Sequence, residues 1–244
     1  MARFPNNFGN GFTSQPQPLG YATPADEMTI SSFFNAVYAW MAAGLALTGV
    51  VAYAVASGIF PIPLTLGTFL VLVVVQLLLV VTISGAINRI GPAAATALFL
   101  LYAALNGVTL SVIFLVYAHS TLTSAFLVSA GTFGAMSVYG YTTRRDLTRL
   151  GSLLFAALLG IVIASVVNMF MHSPMLYWLI SYGGVILFIA LTAYDTQKLK
   201  LIAIQTASNP RMASRMAIVG SLQLYLDFIN LFLFILRIMG NRRN

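Results

Sequence analysis

The sequence predicts an all-α protein that crosses a membrane seven times. Hydrophobic residues make up 59% of the 244 residues and charged residues only 7%, whereas about 25% of the residues of an ordinary soluble domain are charged. The 12 Lys and Arg and 5 Asp and Glu residues cannot provide the charged surface that a soluble domain of this size needs. The apolar stretches are long and continuous, unlike the alternating strands of a membrane β-barrel, so we expect helices.

A polar segment precedes the apolar part of the chain. It is rich in Pro, Gly, Asn and Gln and has no apolar period, which predicts a disordered tail over residues 1–28. A docking peptide for a partner is the alternative interpretation of this segment. Residues 29–244 then form a seven-helix transmembrane domain.

Seven apolar segments follow the tail, and each is close to the roughly 20 residues that span a bilayer. Segments containing Pro, Gly, Ser or Asn separate them. Small residues at helical spacing, as at Gly131, Gly134 and Gly160, are expected to allow close helix packing. The predicted helices span residues 32–57, 62–83, 93–117, 121–141, 150–171, 175–199 and 215–238.

The basic residues indicate how the chain is oriented in the membrane. Alternate loops contain no Lys or Arg and carry only His119 and His172. An excess of basic residues is typical of cytoplasmic loops, so we expect a cytoplasmic N-terminus. Seven complete spans would put Arg242 and Arg243 on the outer side, unless the last segment is re-entrant and returns. The residues of the basic loops are Arg89, Arg144, Arg145, Arg149, Lys198, Lys200, Arg211 and Arg215.

Several classes of function lack their sequence signatures. The chain has no cysteine, which excludes disulfides, iron–sulfur clusters, thiolate metal sites and cysteine nucleophiles. The motifs of zinc proteases, serine hydrolases, P-loop enzymes and dinucleotide-binding enzymes are absent, so we expect neither an enzyme nor a bound cofactor. The net charge of +7 fits membrane orientation, so we expect the lipid bilayer as a partner and no nucleic acid.

Two of the five acidic residues lie inside apolar segments. Asp26 and Glu27 belong to the tail, and Asp146 follows arginines in a loop that can neutralise it. Asp195 and Asp227 remain, in the sixth and seventh segments. A carboxylate inside a membrane is energetically expensive and by default indicates a functional site.

The spacing of these aspartates predicts that they meet. The two segments should form an antiparallel hairpin, and the midpoint of Asp195 and Asp227 is residue 211, beside Asn209-Pro210. Both lie at most about 24 Å from the tip at 1.5 Å per residue. When two carboxylates are close in a low dielectric, one holds its proton to unusually high pH, and the pair titrates as a unit. Such a pair can sense pH, bind a hard cation such as calcium, or do both.

The alternative is a structural role, in which each aspartate accepts hydrogen bonds from neighbours in the sequence. The nearby candidates are Tyr194, Tyr225, Asn230 and Arg237.

The other polar residues in or near the apolar segments are expected to have structural roles. Arg237 lies near the end of the seventh segment, where a long side chain reaches the interface; a gate or counter-ion role is the alternative. Arg89 is expected to set orientation, with a latch to an aspartate as the weaker alternative. Gln76, Asn106 and Asn168 are expected to form hydrogen bonds between helices.

Three stretches of the chain resemble the Bax inhibitor-1 family. The sequences AYDTQKL, which contains Asp195, and LYLDFINLFL, which contains Asp227, are similar to its last two segments. GYTTRRDL, which contains Asp146, is similar to a loop of its bacterial YccA/YbhL-like branch. The resemblance covers residues 30–243. It implies seven helices with the last one wrapped by the other six, and a location in a bacterial inner membrane.

The resemblance also implies a function, a passive and pH-sensitive calcium leak. Asp195 and Asp227 match the aspartates that serve as the sensor and calcium-binding groups, and Arg237 falls where the family often has a basic residue. Gln76 stands where some members have an acidic residue, which argues against a Glu–Arg gate. Calcium and protons are thus the expected small partners. A modulator of a membrane protease or other membrane complex, acting through the tail, and a proton-coupled transporter of a small solute are the alternative functions.

Overall fold

The computed structural model describes residues 24–86 and 89–240, which form seven α-helices. All seven are long and apolar enough to cross a membrane. A short 3₁₀ helix, Thr148–Leu150, leads into the fifth. The helices are α1 (Pro24–Ala56), α2 (Leu66–Ala86), α3 (Pro92–Val116), α4 (His119–Thr142), α5 (Gly151–Met171), α6 (Pro174–Thr206) and α7 (Pro210–Met239).

The prediction of seven spanning helices is confirmed. α7 is one unbroken helix of 30 residues, so the last segment crosses the bundle and does not turn back within the described residues. α1 begins at Pro24, before the predicted domain boundary at residue 29. Residues 1–23, which make up most of the predicted tail, and Arg242 and Arg243 lie outside the described residues.

α7 lies at the centre of the bundle. It packs against α1, α3, α4 and α6 and is the most buried of the seven helices. α2 packs mainly on α3, and α5 packs mainly on α6, so both lie at the periphery. The expectation of a central last helix is therefore confirmed, but four helices rather than six pack extensively against it.

Proline and capping side chains fix where α6 and α7 begin. Pro174 and Pro210 occupy first-turn positions, where the missing N–H breaks no hydrogen bond. Ser173 Oγ accepts a hydrogen bond from the Leu176 N–H at 3.4 Å, and Asn209 Oδ1 accepts one from the Met212 N–H at 3.1 Å. Each cap satisfies a backbone donor that the helix leaves free. The positions at which α6 and α7 begin are therefore well defined.

A buried polar network joins the central helix to α1 and α3. Tyr225 of α7 has a fully buried side chain. Asn106 Nδ2 donates to Tyr225 Oη at 2.7 Å, and Tyr225 Oη and Thr48 Oγ1 are also 2.7 Å apart. Gln76 Nε2 of α2 donates to Thr109 Oγ1 of α3 at 2.6 Å. Asn106 and Gln76 thus form hydrogen bonds between helices, as predicted.

Asn168 does not form the expected hydrogen bond across the bundle. Its Oδ1 accepts from the Ser173 backbone N–H at 3.0 Å, so it caps the corner between α5 and α6. Between them, His172 adopts a left-handed conformation with φ of 51°. The short polar side chain at the end of an apolar helix therefore serves the local turn.

Close helix contact occurs at other glycines than those predicted. A Cβ added at Gly131, Gly134 or Gly160 would meet no atom within 4 Å, whereas one at Gly140 would collide with the backbone carbonyl of Ala193. Gly140 therefore permits the approach of α4 to α6. The prediction from small-residue spacing was wrong because spacing alone does not show which side of a helix faces protein and which faces lipid.

Replacing Gly140 with alanine is expected to lower the free energy of unfolding by about 1–3 kcal/mol, because the added methyl group forces α4 and α6 apart. Gly131→Ala on the same helix is the control, since its methyl group meets open space and alanine favours a helix. Unfolding of both variants in mixed micelles provides the measurement. Equal stabilities would contradict the close α4–α6 contact.

Candidate functional site

Asp195 of α6 and Asp227 of α7 both lie inside the bundle. Only 3% and 5% of their respective surfaces are exposed, and both side chains line the same cavity. The two aspartates therefore lie on the same wall of one cavity, and their role as a sensor stays a prediction.

The register of the α6–α7 hairpin brings the aspartates together. Phe188 stacks on Phe234 with ring centroids 5.8 Å apart, and Leu199 lies opposite Gly220. These pairs centre the hairpin near residue 210, close to the expected midpoint. Because both helices advance about 1.5 Å per residue, a symmetric hairpin places the two carboxylates at matching depth.

The hydrogen bonding of the pair is uneven. Gln223 Nε2 donates to Asp195 Oδ1 at 2.7 Å. Asp227 Oδ2 is buried and accepts no hydrogen bond from any residue of the described part of the chain. Lys198 lines the same cavity as both aspartates. An ionised Asp227 would therefore leave a buried oxygen unpaired, which is unfavourable in a low dielectric.

A cavity of about 350 Å³ opens beside the pair, between α5, α6 and α7. Phe155 and Leu158 of α5 provide part of its apolar wall. The side chains that contribute polar atoms to the lining are Tyr194, Asp195, Lys198, Gln223, Asp227 and Asn230. The carboxylate pair is therefore accessible from a cavity within the membrane-spanning part of the fold.

Gln197 fixes the loop that leads into the wall of this cavity. Its Nε2 donates to the Arg145 carbonyl and its Oε1 accepts from the Leu147 N–H, both at 2.8 Å. The loop continues through the 3₁₀ helix to Gly151, where a Cβ would collide with the Tyr194 side chain. Gln197 thus ties the start of α5 to α6, two residues beyond Asp195.

The two arginines considered as gate residues lie away from the pair. The Arg237 guanidinium stacks on Tyr177, with Cζ 3.8 Å from the ring centroid. Arg89 is exposed between α2 and α3. Neither lines the cavity beside Asp195 and Asp227. The arrangement therefore gives Arg237 an aromatic partner at the end of the bundle away from the basic loops.

The sequence reasoning missed Gln223 and Lys198. Tyr225 and Asn230, two of the candidate partners, bond elsewhere: Tyr225 to the α1–α3 network and Asn230 Nδ2 to its own helix at the Leu226 carbonyl. Gln223 lies one turn before Asp227, and Lys198 lies three residues after Asp195. Residues three or four apart share a helix face, and this spacing could have identified both.

The site offers carboxylate oxygens but no closed metal cage. No group of three or more His, Cys, Asp or Glu side chains that could hold a metal ion occurs within residues 24–86 and 89–240. Calcium takes six to eight oxygen ligands, so two carboxylates supply only part of a coordination shell.

Comparison with known proteins identifies the family. The family model described as "Inhibitor of apoptosis-promoting Bax1" matches residues 30–244. The chain is 49% identical to the inner membrane protein YbhL of Escherichia coli K12, over 88% of this chain and 93% of that protein. It is 47% identical to an uncharacterized protein of Borreliella burgdorferi, over 88% and 94% of the two chains. The chain therefore belongs to the Bax inhibitor family, as a bacterial-type member with seven membrane-spanning helices.

Proposed function

We propose that the protein is a pH-sensitive leak channel for cations, with calcium as the permeant ion and Asp195 and Asp227 as the sensor. The observation that carries the proposal is the presence of two buried carboxyl groups on the wall of one cavity inside the membrane-spanning bundle. Buried carboxylates are expensive in a membrane, and this pair occupies the interface of the two helices that form the hairpin.

A single proton changes what holds α6 and α7 together at this point. With the proton present, the carboxyl groups share a hydrogen bond. Without it, two like charges stand in contact in a low dielectric and repel. Movement of the helices apart or entry of a cation would each relieve that repulsion. Proton binding and cation passage therefore compete for the same oxygens.

Lys198 and Asn230 shape the expected ion path. Lys198 lines the cavity together with both carboxylates, so an entering cation would meet an internal positive charge beside them. Asn230 also lines the cavity and uses its amide nitrogen on the Leu226 carbonyl, which leaves its oxygen for a hydrated ion. Weak binding shared between protein and water is what conduction requires, because the ion must leave again.

The proposed location is a bacterial inner membrane with the N-terminus in the cytoplasm. The relative YbhL is named as an inner membrane protein. At one end of the antiparallel bundle, Arg89 lies in the α2–α3 connection, Arg144 lies in the α4–α5 connection and Arg211 lies in the first turn of α7. Basic residues are typical of the cytoplasmic side, so this end of the bundle is expected to face the cytoplasm.

Calcium flux in vesicles tests the proposal. Purified protein is reconstituted into proteoliposomes loaded with a calcium dye, and entry is recorded from pH 5 to 8. We expect a flux that depends on pH, and we expect Asp195→Asn and Asp227→Asn to remove that dependence because the amide cannot titrate. The matched control is Asp146→Asn in the exposed α4–α5 loop.

The outcomes separate the proposal from the alternatives. A calcium flux that keeps the wild-type pH profile in both Asp195→Asn and Asp227→Asn would refute the role of these residues as the sensor. Absence of flux in folded protein would refute the leak channel. Accumulation of a solute against its gradient, driven by protons, would identify a transporter, because a leak cannot do this.

A further inference from the structure

We infer that a second cavity, between α1, α3, α4 and α7, binds an acyl chain of a membrane lipid. This cavity has a volume of about 270 Å³ and lies on the other side of α7 from the carboxylate pair. Phe228, Ile229 and Phe232 of α7 line it. The inference is independent of the proposed leak function, since the two cavities have only α7 in common.

The cavity exists because two consecutive helices diverge. Only Tyr117 and Ala118 connect α3 to α4, yet α3 packs on α1 while α4 packs on α6, and the two make little contact with each other. The divergence of α3 and α4 leaves a wedge-shaped gap between these two helices, and α7 lies at the back of this wedge. The wedge is at the end of the bundle away from the basic loops, near the end of α3 and the start of α4.

The chemistry of the lining selects an apolar ligand. Thr48 and Thr123 are the only lining residues with polar side chains. Thr48 Oγ1 donates to the Ala103 carbonyl at 2.8 Å, and Thr123 Oγ1 donates to the His119 carbonyl at 3.0 Å. No side-chain donor in the lining is left for a polar ligand, and apolar cavities do not hold water.

The surroundings of the mouth supply that ligand. Gly49 and Phe126 line the cavity and are exposed, and the neighbouring Val50, Leu115 and Leu127 expose more than half of their surface. These residues belong to membrane-spanning helices, so their exposed surface faces lipid. An acyl chain can enter from there without losing water.

An acyl chain that fills the cavity gains favourable van der Waals contacts. Side chains beside an empty space lose their dispersion partners outright. Phe126 packs edge-on to Phe228, with centroids 5.6 Å apart, and to Phe232, at 6.4 Å, so an inserted chain would touch aromatic faces on two helices. Phe228 follows Asp227 directly, and the bound lipid would therefore contact the helix that carries the sensor.

Photolabelling tests the inference. Protein in vesicles of phosphatidylethanolamine and phosphatidylglycerol is irradiated with a phospholipid that carries a diazirine on its acyl chain, and labelled peptides are identified by mass spectrometry. Phe228, Ile229 and Phe232 expose at most 8% of their surfaces, so labels on residues 228–232, apart from Asn230 of the other cavity, require a chain inside this cavity. We expect such labels in the wild type, together with labels on lipid-facing α5.

Gly49→Phe is the blocking variant, because a Cβ at Gly49 meets no atom within 4 Å and a ring there can fill the mouth. We expect labelling of residues 228–232 to fall about tenfold, as a loss of roughly 1.4 kcal/mol in binding free energy produces. Labelling of α5 should not change. Gly160→Phe on α5 is the matched control, since Gly160 is equally open and lines neither cavity.

Two results would overturn the inference. Wild-type α7 that stays unlabelled while α5 is labelled would show that lipid does not enter, as would be seen if a second copy of the chain covered the wedge. Labelling of residues 228–232 that survives Gly49→Phe would show that the chain reaches α7 by another route. Gly49→Leu replaces Gly49→Phe if the larger ring prevents folding, which thermal unfolding reports.

Discussion

Replacing Tyr225 with alanine is expected to lower the free energy of unfolding by about 3–5 kcal/mol, the range for removal of a large buried aromatic side chain. The Tyr225 ring is fully buried and packs edge-on to Phe99 and Tyr102, with centroids 5.7 and 5.8 Å away. Its hydroxyl joins Thr48 of α1 to Asn106 of α3. The substitution therefore removes both packing and the hydrogen bonds that hold the central helix to two neighbours.

Tyr225→Phe separates these contributions, because it keeps the ring and removes the hydroxyl. It is expected to cost about 0.6–1.7 kcal/mol for each hydrogen bond, as measured for bonds between membrane helices. Tyr139→Ala is the control, since Tyr139 exposes 42% of its surface, and we expect a change below about 0.5 kcal/mol. Unfolding in mixed micelles gives all three values. A loss for Tyr225→Ala no larger than the control would contradict the network.

The spanning helices could be predicted because the bilayer imposes a length and an apolar composition on each of them. The position of each helix in the bundle could not. α2 and α7 are both apolar segments in the sequence, but α2 lies at the periphery and α7 at the centre. Surrounding lipid is as apolar as a protein core, so hydrophobicity does not mark the buried side of a membrane helix. The glycine contacts were mispredicted for the same reason.

The carboxylate pair could be predicted because carboxylates are rare and costly in a membrane. Asp195 and Asp227 stand out in apolar segments, and the symmetry of the hairpin gives their depth. Their partners depend on helix rotation. Gln223 rather than Tyr225 or Asn230 donates to Asp195 because Tyr225 faces α1 and α3 and Asn230 bonds to its own helix. Thr48 meets Tyr225 across 177 positions, which no local pattern in the sequence reveals.

The stability of the wild-type protein is expected to fall as the pH rises from 5 to 8, and Asp227→Asn is expected to remove most of that fall. We expect the two buried carboxyl groups of the folded state to hold a proton between them, because two like charges repel in a low dielectric, whereas in the unfolded state the groups are apart. Stability decreases with pH wherever the folded state binds more protons. The expected slope is about 1.4 kcal/mol per pH unit over the range in which the difference is one proton.

Asp146→Asn is the control for this slope. Hydrogen bonds from Thr148 lower the pKa of the exposed Asp146 below its ordinary value of 3.8. Its contribution to stability is therefore present above that value and is lost only in stronger acid, outside the range from pH 5 to 8, and with the opposite sign. The slope should remain in Asp146→Asn.

The slope tests the pair separately from any flux, because unfolding in micelles requires no ion gradient. Asp195→Asn should reduce the slope less than Asp227→Asn does, because Asp227 stays buried in that variant. Asp227 Oδ2 accepts no hydrogen bond from the described residues, and ionisation of that group thus costs more than ionisation of Asp195, which Gln223 stabilises. A slope that persists in both variants would mean that the proton is held elsewhere, and the two aspartates would then not act as one titrating unit.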